Sequence, residues 1–490
     1  MHLRYRTLIK LSSFMLMITG IAMLPSFLCA RIYGQVNAEW GFLLTGGISA
    51  IVGFILFNFV HASPKGLTSR DGYMAVIMSW LLCSLIGTIP YLASGEVTSF
   101  ADALFESVAG YTTTGATVLS HHLSNPLILW KVTCHWLGGM GILIFVISIL
   151  PALGTGGQRI ASAEAPGPEL SKMAPRMTDF SKMLYLIYST LTAVEWLMLW
   201  LGSKMNAFEA LINAMGSIST AGMFMHPKGI AYYNSVYVEV VISVFTILAS
   251  VNFIVYMHLM RRNFDSVRKN MEIRIFLAMI AVGTAIVTAA LRISGTFPTV
   301  ASSLRHAFFQ VTSFATTSGF AMDDYNKWPS ICLALFFILL FVGGCAASTS
   351  GGLKVIRVSV MLKLIARGLH LRIHPRSVRA VKLGKTVISA PMANMVTCFI
   401  LLYGILFFVG SVIMSLQGLD METTLSSTAS MMSTTGISIG DIGSTGNFGV
   451  YCPALKIFCC VLMTTGRLEL IAVVLLLFPS YWNPDRFQVK

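Results

Sequence analysis

Apolar residues run without interruption through segments long enough to cross a hydrocarbon layer of about 30 Å, and they do not alternate with polar ones. Continuous runs predict membrane-spanning helices, whereas alternation would have pointed to a β-barrel. The first run follows Arg4, Arg6 and Lys10 and continues to about Ile32; a second begins near Trp40. No small-residue A-x-A site closes the first run, so a cleaved signal peptide is disfavoured and two retained helices are expected.

After these two helices one pattern recurs four times. An apolar span is followed by a half-length amphipathic segment, a Ser/Thr-rich run ending in glycine, a polar stretch and a second apolar span. The spans lie at about 73–94 and 126–150, 183–202 and 235–260, 273–293 and 328–363, and 392–416 and 451–479. The half-length segments are Phe100–Gly110, Ala207–Gly216, Val300–Ser313 and Met421–Met431. They are too short to span a bilayer and read as re-entrant half-helices, which membranes tolerate only inside protein or beside a water-filled cavity. The runs that follow are Thr112-Thr113-Thr114-Gly115, Ser219-Thr220-Ala221-Gly222, Thr316-Thr317-Ser318-Gly319 and Ser433-Thr434-Thr435-Gly436. Their glycines lie 107, 97 and 117 residues apart. The expected fold is an all-α polytopic membrane protein: four span–half-helix–span repeats in a pseudo-fourfold arrangement around one pore, plus two extra N-terminal helices. Residues 1–62 would hold the extra helices and 63–168, 169–268, 269–385 and 386–490 the four repeats.

Composition agrees, with 55% hydrophobic and 11% charged residues. The net charge of +14 raises the question of nucleic acid, but the basic residues collect in connections between spans and no nucleic-acid motif accompanies them. If the half-helices re-enter from outside, 24 of the 34 Lys and Arg fall on cytoplasmic segments, which places both termini inside. The nine cysteines sit mostly in apolar segments without Cys-x-x-Cys spacing, and the ten histidines are scattered. Both are expected to be structural, with lipid as the surrounding medium.

The repeated run has a chemistry. A cation that sheds hydration water needs replacement oxygens from carbonyls or hydroxyls. Glycine reaches positive φ freely and lets neighbouring carbonyls turn toward an axis. The half-helix C-termini would point their partial negative charge at the same place. With no Asp or Glu in any run, a monovalent cation fits better than a divalent one. The four runs are therefore the candidate filter.

Two features interrupt the last spans. Gly343-Gly344-Cys345-Ala346-Ala347-Ser348-Thr349-Ser350-Gly351-Gly352, followed by Lys354, cannot remain regular helix, since each interior glycine costs about 1 kcal/mol against alanine. It lacks the Gly-Lys-Ser/Thr ending of a phosphate-binding loop, and an unwound, gate-like segment is expected. Arg467 lies in an otherwise apolar stretch, where a charge needs partners or water. Glu469, two residues on, faces elsewhere and is a poor partner for it. Glu106, Glu195, Glu209 and Glu239 are expected to brace the half-helices rather than relay protons.

These residues resemble the TrkH family, the membrane subunits of bacterial Trk potassium uptake systems within the Trk/Ktr/HKT superfamily. The resemblance rests on the fourfold plan, Thr112–Ala116, Trp136-Leu137-Gly138-Gly139-Met140-Gly141, Ala163-Glu164-Ala165-Pro166-Gly167-Pro168, the Gly343–Lys354 segment and Gly466-Arg467-Leu468-Glu469. It implies K+ as the transported ion and no other cofactor. The ion would be held chiefly by carbonyls of the residues just before and at each filter glycine, a filter set of Thr113, Thr114, Gly115, Thr220, Ala221, Gly222, Thr317, Ser318, Gly319, Thr434, Thr435 and Gly436, in which Ala221 departs by lacking the hydroxyl found at the matching Thr114, Ser318 and Thr435. It also implies a gate at Gly343, Gly344, Gly351, Gly352, Lys354 and Arg467, and a homodimer. A cytosolic TrkA-type nucleotide-binding partner and the bacterial inner membrane come with it. Such a protein is not an enzyme. The rival from another class is an ion-coupled carrier for a small organic solute, whose unwound helices would come in inverted pairs. A membrane hydrolase would need a nucleophile–base or metal-ligand arrangement, and none is evident.

Overall fold

A computed structural model describes residues 5–61, 69–153, 177–223, 225–226, 229–377, 380–384 and 386–482. The Ala163–Pro168 motif and the extreme termini lie outside the described residues. The two N-terminal spans are present as α1 (Tyr5–Ala22) continued by α2 (Leu24–Ile32), and α3 (Val36–Phe59). They pack closely through small residues: a Cβ on Gly20 would lie 2.5 Å from the Gly46 carbonyl oxygen, and one on Gly53 only 2.7 Å from the Met17 nitrogen. Small residues let helix backbones approach where lipid offers no hydrophobic drive.

The elements expected of the four repeats follow. The first comprises α4 (Ser69–Ala93), α5 (Phe100–Tyr111) and α6 (Asn125–Leu153). The second has α7 (Met177–Gly202), α8 (Ala207–Ile218), α9 (Val236–Ser250) and α10 (Phe253–Met260), with the short α11 (Phe264–Lys269) leading onward. In the third, α12 (Met271–Ile293), α13 (Val300–Ala315) and α14 (Ser330–Val342) precede the glycine-rich loop and α15 (Val355–Ile373). A hairpin of β1 (Lys382–Leu383) and β2 (Thr386–Val387) leads to the fourth: α16 (Ala390–Met414), α17 (Met421–Ser433), α18 (Pro453–Arg467) and α19 (Ile471–Leu475).

All four half-helices begin where the hydrophobic pattern put them. Asn206, Thr299 and Asp420 explain three of those starts, each side chain accepting a backbone N–H of the first turn. The last span of each repeat packs against the half-helix of the next: α6 on α8, α9 on α13, α14 on α17, and α18 back on α5. The largest apolar cluster gathers residues from the first, third and fourth repeats, including Phe105, Phe314, Phe336 and Met431.

Two spans expected to be continuous are broken. The one at about 235–260 divides into α9 and α10, bent by 91° at the Val251–Asn252 break. The Asn252 side chain caps the second piece by accepting from Ile254 N–H at 2.9 Å. The span at about 451–479 stops at Arg467, and Glu469 and Leu470 both take positive φ before helix resumes at Ile471. In each case tertiary contacts override apolar composition: the first break gives the Ala249 and Ser250 carbonyls to donors from elsewhere in the chain, and at the second the Arg467 side chain donates to the Thr349 and Gly138 carbonyls.

Candidate functional site: four runs and a glycine-rich loop

Each half-helix ends in the same way. Thr113, Thr220, Thr317 and Thr434 adopt φ of 56°, 51°, 56° and 54°, and Gly115, Gly222, Gly319 and Gly436 follow at 72°, 56°, 71° and 83°. The residue between them reaches back five positions: Thr114 N–H donates to Ala109 O at 2.9 Å, and Ala221, Ser318 and Thr435 donate to Gly216, Ser313 and Ser430 at 3.0 Å. This is a Schellman-type helix end, normally built with glycine. Here a β-branched threonine occupies the left-handed position, at roughly 1–3 kcal/mol each. The sequence pointed to the glycines as the residues with special backbone; the strained threonines carried no signal in it.

The four glycines close a ring. A methyl group on Gly115 would overlap the carbonyl oxygen of Ala221, one on Gly222 that of Ser318, one on Gly319 that of Thr435, and one on Gly436 that of Thr114. Each run thus sets its glycine against the carbonyl of the next, and the fourth returns to the first. Every residue of the filter set is buried except the partly exposed Gly115. Their hydroxyls are largely spent on bracing the loops. Thr112 Oγ1 and Thr114 Oγ1 share a hydrogen bond of 2.8 Å, Ser433 Oγ and Thr435 Oγ1 one of 2.7 Å, and Ser318 Oγ donates to Ser313 Oγ at 3.4 Å. Ala221 therefore forgoes a brace, while its carbonyl keeps the common position.

On one side of the ring lies a cavity of about 470 Å³. Gly115, Thr117, Met223, Met322 and Asn447, at or after the runs, help to line it. On the other side sits the glycine-rich loop. Gly351 N–H donates to Thr317 Oγ1 at 2.7 Å, and a side chain on Gly351 would strike the Ser433 carbonyl and Thr434 Oγ1. The Oγ1 atoms of Thr113 and Thr434 are buried without a hydrogen-bond partner among the described residues. The loop folds back so that Gly343 lies against the backbone of Gly351 and Gly352, and a Cβ on Gly343 would overlap the Gly351 carbonyl oxygen. Gly344 is equally crowded, its missing Cβ facing Ser350 Oγ and Ser250 Cβ.

The loop is tied from several directions. Cys345 N–H donates to Ser250 O at 3.0 Å and Thr349 Oγ1 to Ala249 O at 3.1 Å, which accounts for the break after α9. Glu272 accepts from Ala346 N–H at 2.6 Å, and Lys354 Nζ donates to Ser350 O. Arg467 is engaged through both terminal nitrogens: Nη1 donates to Thr349 O at 2.7 Å and Nη2 to Gly138 O at 2.9 Å, joining the loop to α6, while its Nε is buried without a hydrogen-bond partner among the described residues. Glu469 instead pairs with Arg357 of α15 at 2.5 Å, in keeping with the expectation that it is a poor partner for Arg467. The only sequence signal for the docking of the loop was the polar Ser250 and Asn252 in an apolar run.

The acids brace the half-helices. Glu239 on α9 binds Arg305 on α13 through two hydrogen bonds, of 2.6 and 2.5 Å. Lys456 on α18 meets Asp102 on α5 at 2.6 Å, and Ser217 on α8 donates to Glu195 on α7 at 2.5 Å. Glu209 accepts from Asn206 Nδ2 at the start of α8. Glu106 accepts from Thr117 Oγ1, Val118 N–H and Lys131 Nζ, at 2.6, 2.9 and 2.6 Å. Breaking a buried pair leaves one charge uncompensated, a loss of about 3–5 kcal/mol. Thermal unfolding of the detergent-purified Glu106→Gln protein should therefore show a marked fall in midpoint, largely recovered in Glu106→Gln/Lys131→Met. A single variant as stable as the parent would show that the pair carries no such role.

Among the described residues no group of three His, Cys, Asp or Glu could hold a metal ion. The sequence matches the TrkH family, described as cation transport proteins, over residues 44–483. The chain belongs to the TrkH family. Relatives named as the Trk system potassium uptake protein TrkH are 33% identical in Halomonas elongata and 32% in Escherichia coli. The alignments cover 98% and 99% of this chain, and 99% and 100% of the relatives. The crystal structure of the potassium transporter TrkH from Vibrio parahaemolyticus superposes with a TM-score of 0.88 at 28% identity, covering 98% of this chain and all of that one. TrkH-family proteins are transporters, so this chain is not an enzyme.

Proposed function

We propose that this protein is the ion-translocating subunit of a Trk-type potassium uptake system. The carrying observation is the ring in which each run's glycine abuts the carbonyl before the next run's glycine. Such a ring gives a dehydrating cation four equivalent sets of oxygens without fixed negative charge, which suits K+ that must bind and then leave. The filter is formed by Thr113–Gly115, Thr220–Gly222, Thr317–Gly319 and Thr434–Gly436, chiefly through backbone carbonyls, and the four repeats stand around it with pseudo-fourfold symmetry. The strained threonines hold those carbonyls in place, and the cavity of about 470 Å³ is the outer vestibule.

The Gly343–Gly352 loop with Lys354 is the gate, held shut beneath the filter by Arg467. The chain works in the bacterial inner membrane with both termini cytoplasmic, as a homodimer bound by a cytosolic TrkA-type nucleotide-binding subunit. An ion-coupled carrier for a small organic solute would place unwound helices in inverted pairs; the cyclic packing of each last span on the next half-helix favours the pore instead. Purified protein in liposomes should pass rubidium, with sodium competing poorly. Rubidium flux no greater than through empty liposomes, even with the partner protein present, would reject the pore.

A further inference from the structure

From Lys354 to Leu419 the chain contains no Asp or Glu, while eight Lys and Arg lie between Arg357 and Lys385. Four of these eight, Arg357, Lys363, Arg367 and Arg372, lie on α15, and all but the buried Arg357 are at least partly exposed. At 100° per residue, Leu362, Ile365, Ala366, Leu369 and Ile373 share one face. Leu362, Ile365, Leu369 and Ile373 are 57%, 52%, 62% and 73% exposed. Lys363 and His370 border that face on one side and Arg372 on the other, while Arg367 is exposed further round the helix.

The opposite face is already occupied. Val360 clusters with Val381, Ile388 and Val396, and Leu364, Met392 and Ala393 pack on that cluster. Those partners are the hairpin and the first turns of α16, so the bare stripe lies where a membrane-spanning helix begins. Its exposure equals that of the outward residues of α16 itself, such as Leu401 at 63% and Phe408 at 68%.

We propose that α15 is a docking surface for anionic phospholipid. The apolar stripe sits at the boundary of the acyl chains, and Arg367, Arg372 and the following Arg376 reach the headgroup phosphates. An apolar stripe with cationic borders on both sides is the pattern of a helix lying in a membrane interface. The absence of any acid over the whole stretch supplies the charge complementarity. Because α15 begins at Val355, directly after the glycine-rich loop, bound lipid also biases the gate. That consequence rests on the reading of the loop as a gate; the binding does not.

The test uses full-length protein in neutral detergent micelles doped with fluorescent phosphatidylglycerol. Binding should be salt-sensitive and about a hundredfold weaker in Arg367→Gln/Arg372→Gln/Arg376→Gln. Leu369→Gln/Ile373→Gln should weaken it without any change of charge. Both variants should keep parental rubidium flux in phosphatidylcholine liposomes, which shows that they are folded. Equal binding of phosphatidylcholine, or unchanged phosphatidylglycerol binding in the triple variant, overturns the proposal. If that variant kept its lipid but lost its response to the cytosolic regulatory protein, the surface would belong to an acidic protein instead. Lipid binding as described with a flux indifferent to lipid would refute the gate coupling alone.

Discussion

Replacing Gly115 with valine should destroy the discrimination between potassium and sodium. Gly115 has a φ of 72°, which a β-branched residue adopts only under strain. Even the first carbon of the new side chain would overlap the Ala221 carbonyl oxygen. That carbonyl belongs to the proposed ring, so relieving the clash moves a ligand and not merely a neighbour. A misplaced oxygen worth about 1.4 kcal/mol of selective binding already removes a tenfold preference, and the strain adds roughly 1–3 kcal/mol. Rubidium uptake into liposomes, measured against rising sodium, should show at least that tenfold loss. Gly436→Val should behave alike, since it meets the Thr114 carbonyl in the same way. Parental selectivity in both variants, at normal membrane yield, would remove these runs from the permeation path.

The second large effect is expected at Arg467. Its guanidinium supplies Thr349 O and Gly138 O with their hydrogen bonds, at 2.7 and 2.9 Å. Hydrogen bonds to a charged group contribute about 1.5–3 kcal/mol each. Arg467→Ala therefore loosens the loop by about 3 kcal/mol or more, enough to change the ratio of closed to open forms by roughly a hundredfold. Rubidium flux without any regulatory partner should rise accordingly. Arg467→Lys, which keeps the charge but not the two-armed reach, should fall between the two. A flux in Arg467→Ala that still requires the partner in full would refute the clasp.

The two predictions separate selectivity from control. The ring around Gly115 draws on all four repeats, and its hydroxyls are turned to bracing. On the proposed reading, control lies where three interrupted spans meet: the Gly343–Gly352 loop, the Ser250–Asn252 break and the chain around Arg467. Lys354 and the Arg357–Glu469 pair join that meeting point to α15. A disturbance of α15 thus has a short mechanical route to the four Ser/Thr-Gly runs.

Much of this protein was legible in its sequence, for reasons of length and period. A bilayer of fixed thickness forces spans to be long, so half-length apolar segments stand out and their first residues were readable to the position. Four Ser/Thr-Gly runs at nearly equal spacing then marked what the half-helices deliver. The glycine-rich interruption was equally plain, because no helix tolerates that composition in its interior.

What the sequence could not express were choices made between segments far apart in the chain. Nothing local tells Thr113, Thr220, Thr317 or Thr434 to adopt a left-handed backbone; the packing around each helix end imposes it. Nor does apolar composition reveal that the spans near 251 and 468 break, since the gain comes from hydrogen bonds to a loop of another repeat. Arg467 looked like a lone charge because both of its acceptors lie more than a hundred residues away. The sequence by itself determined the elements, their order and the oxygen-rich runs, because those follow from membrane thickness and local backbone preference. Only the tertiary structure decided which carbonyl each glycine faces and what holds the loop beneath them, because both depend on contacts between repeats.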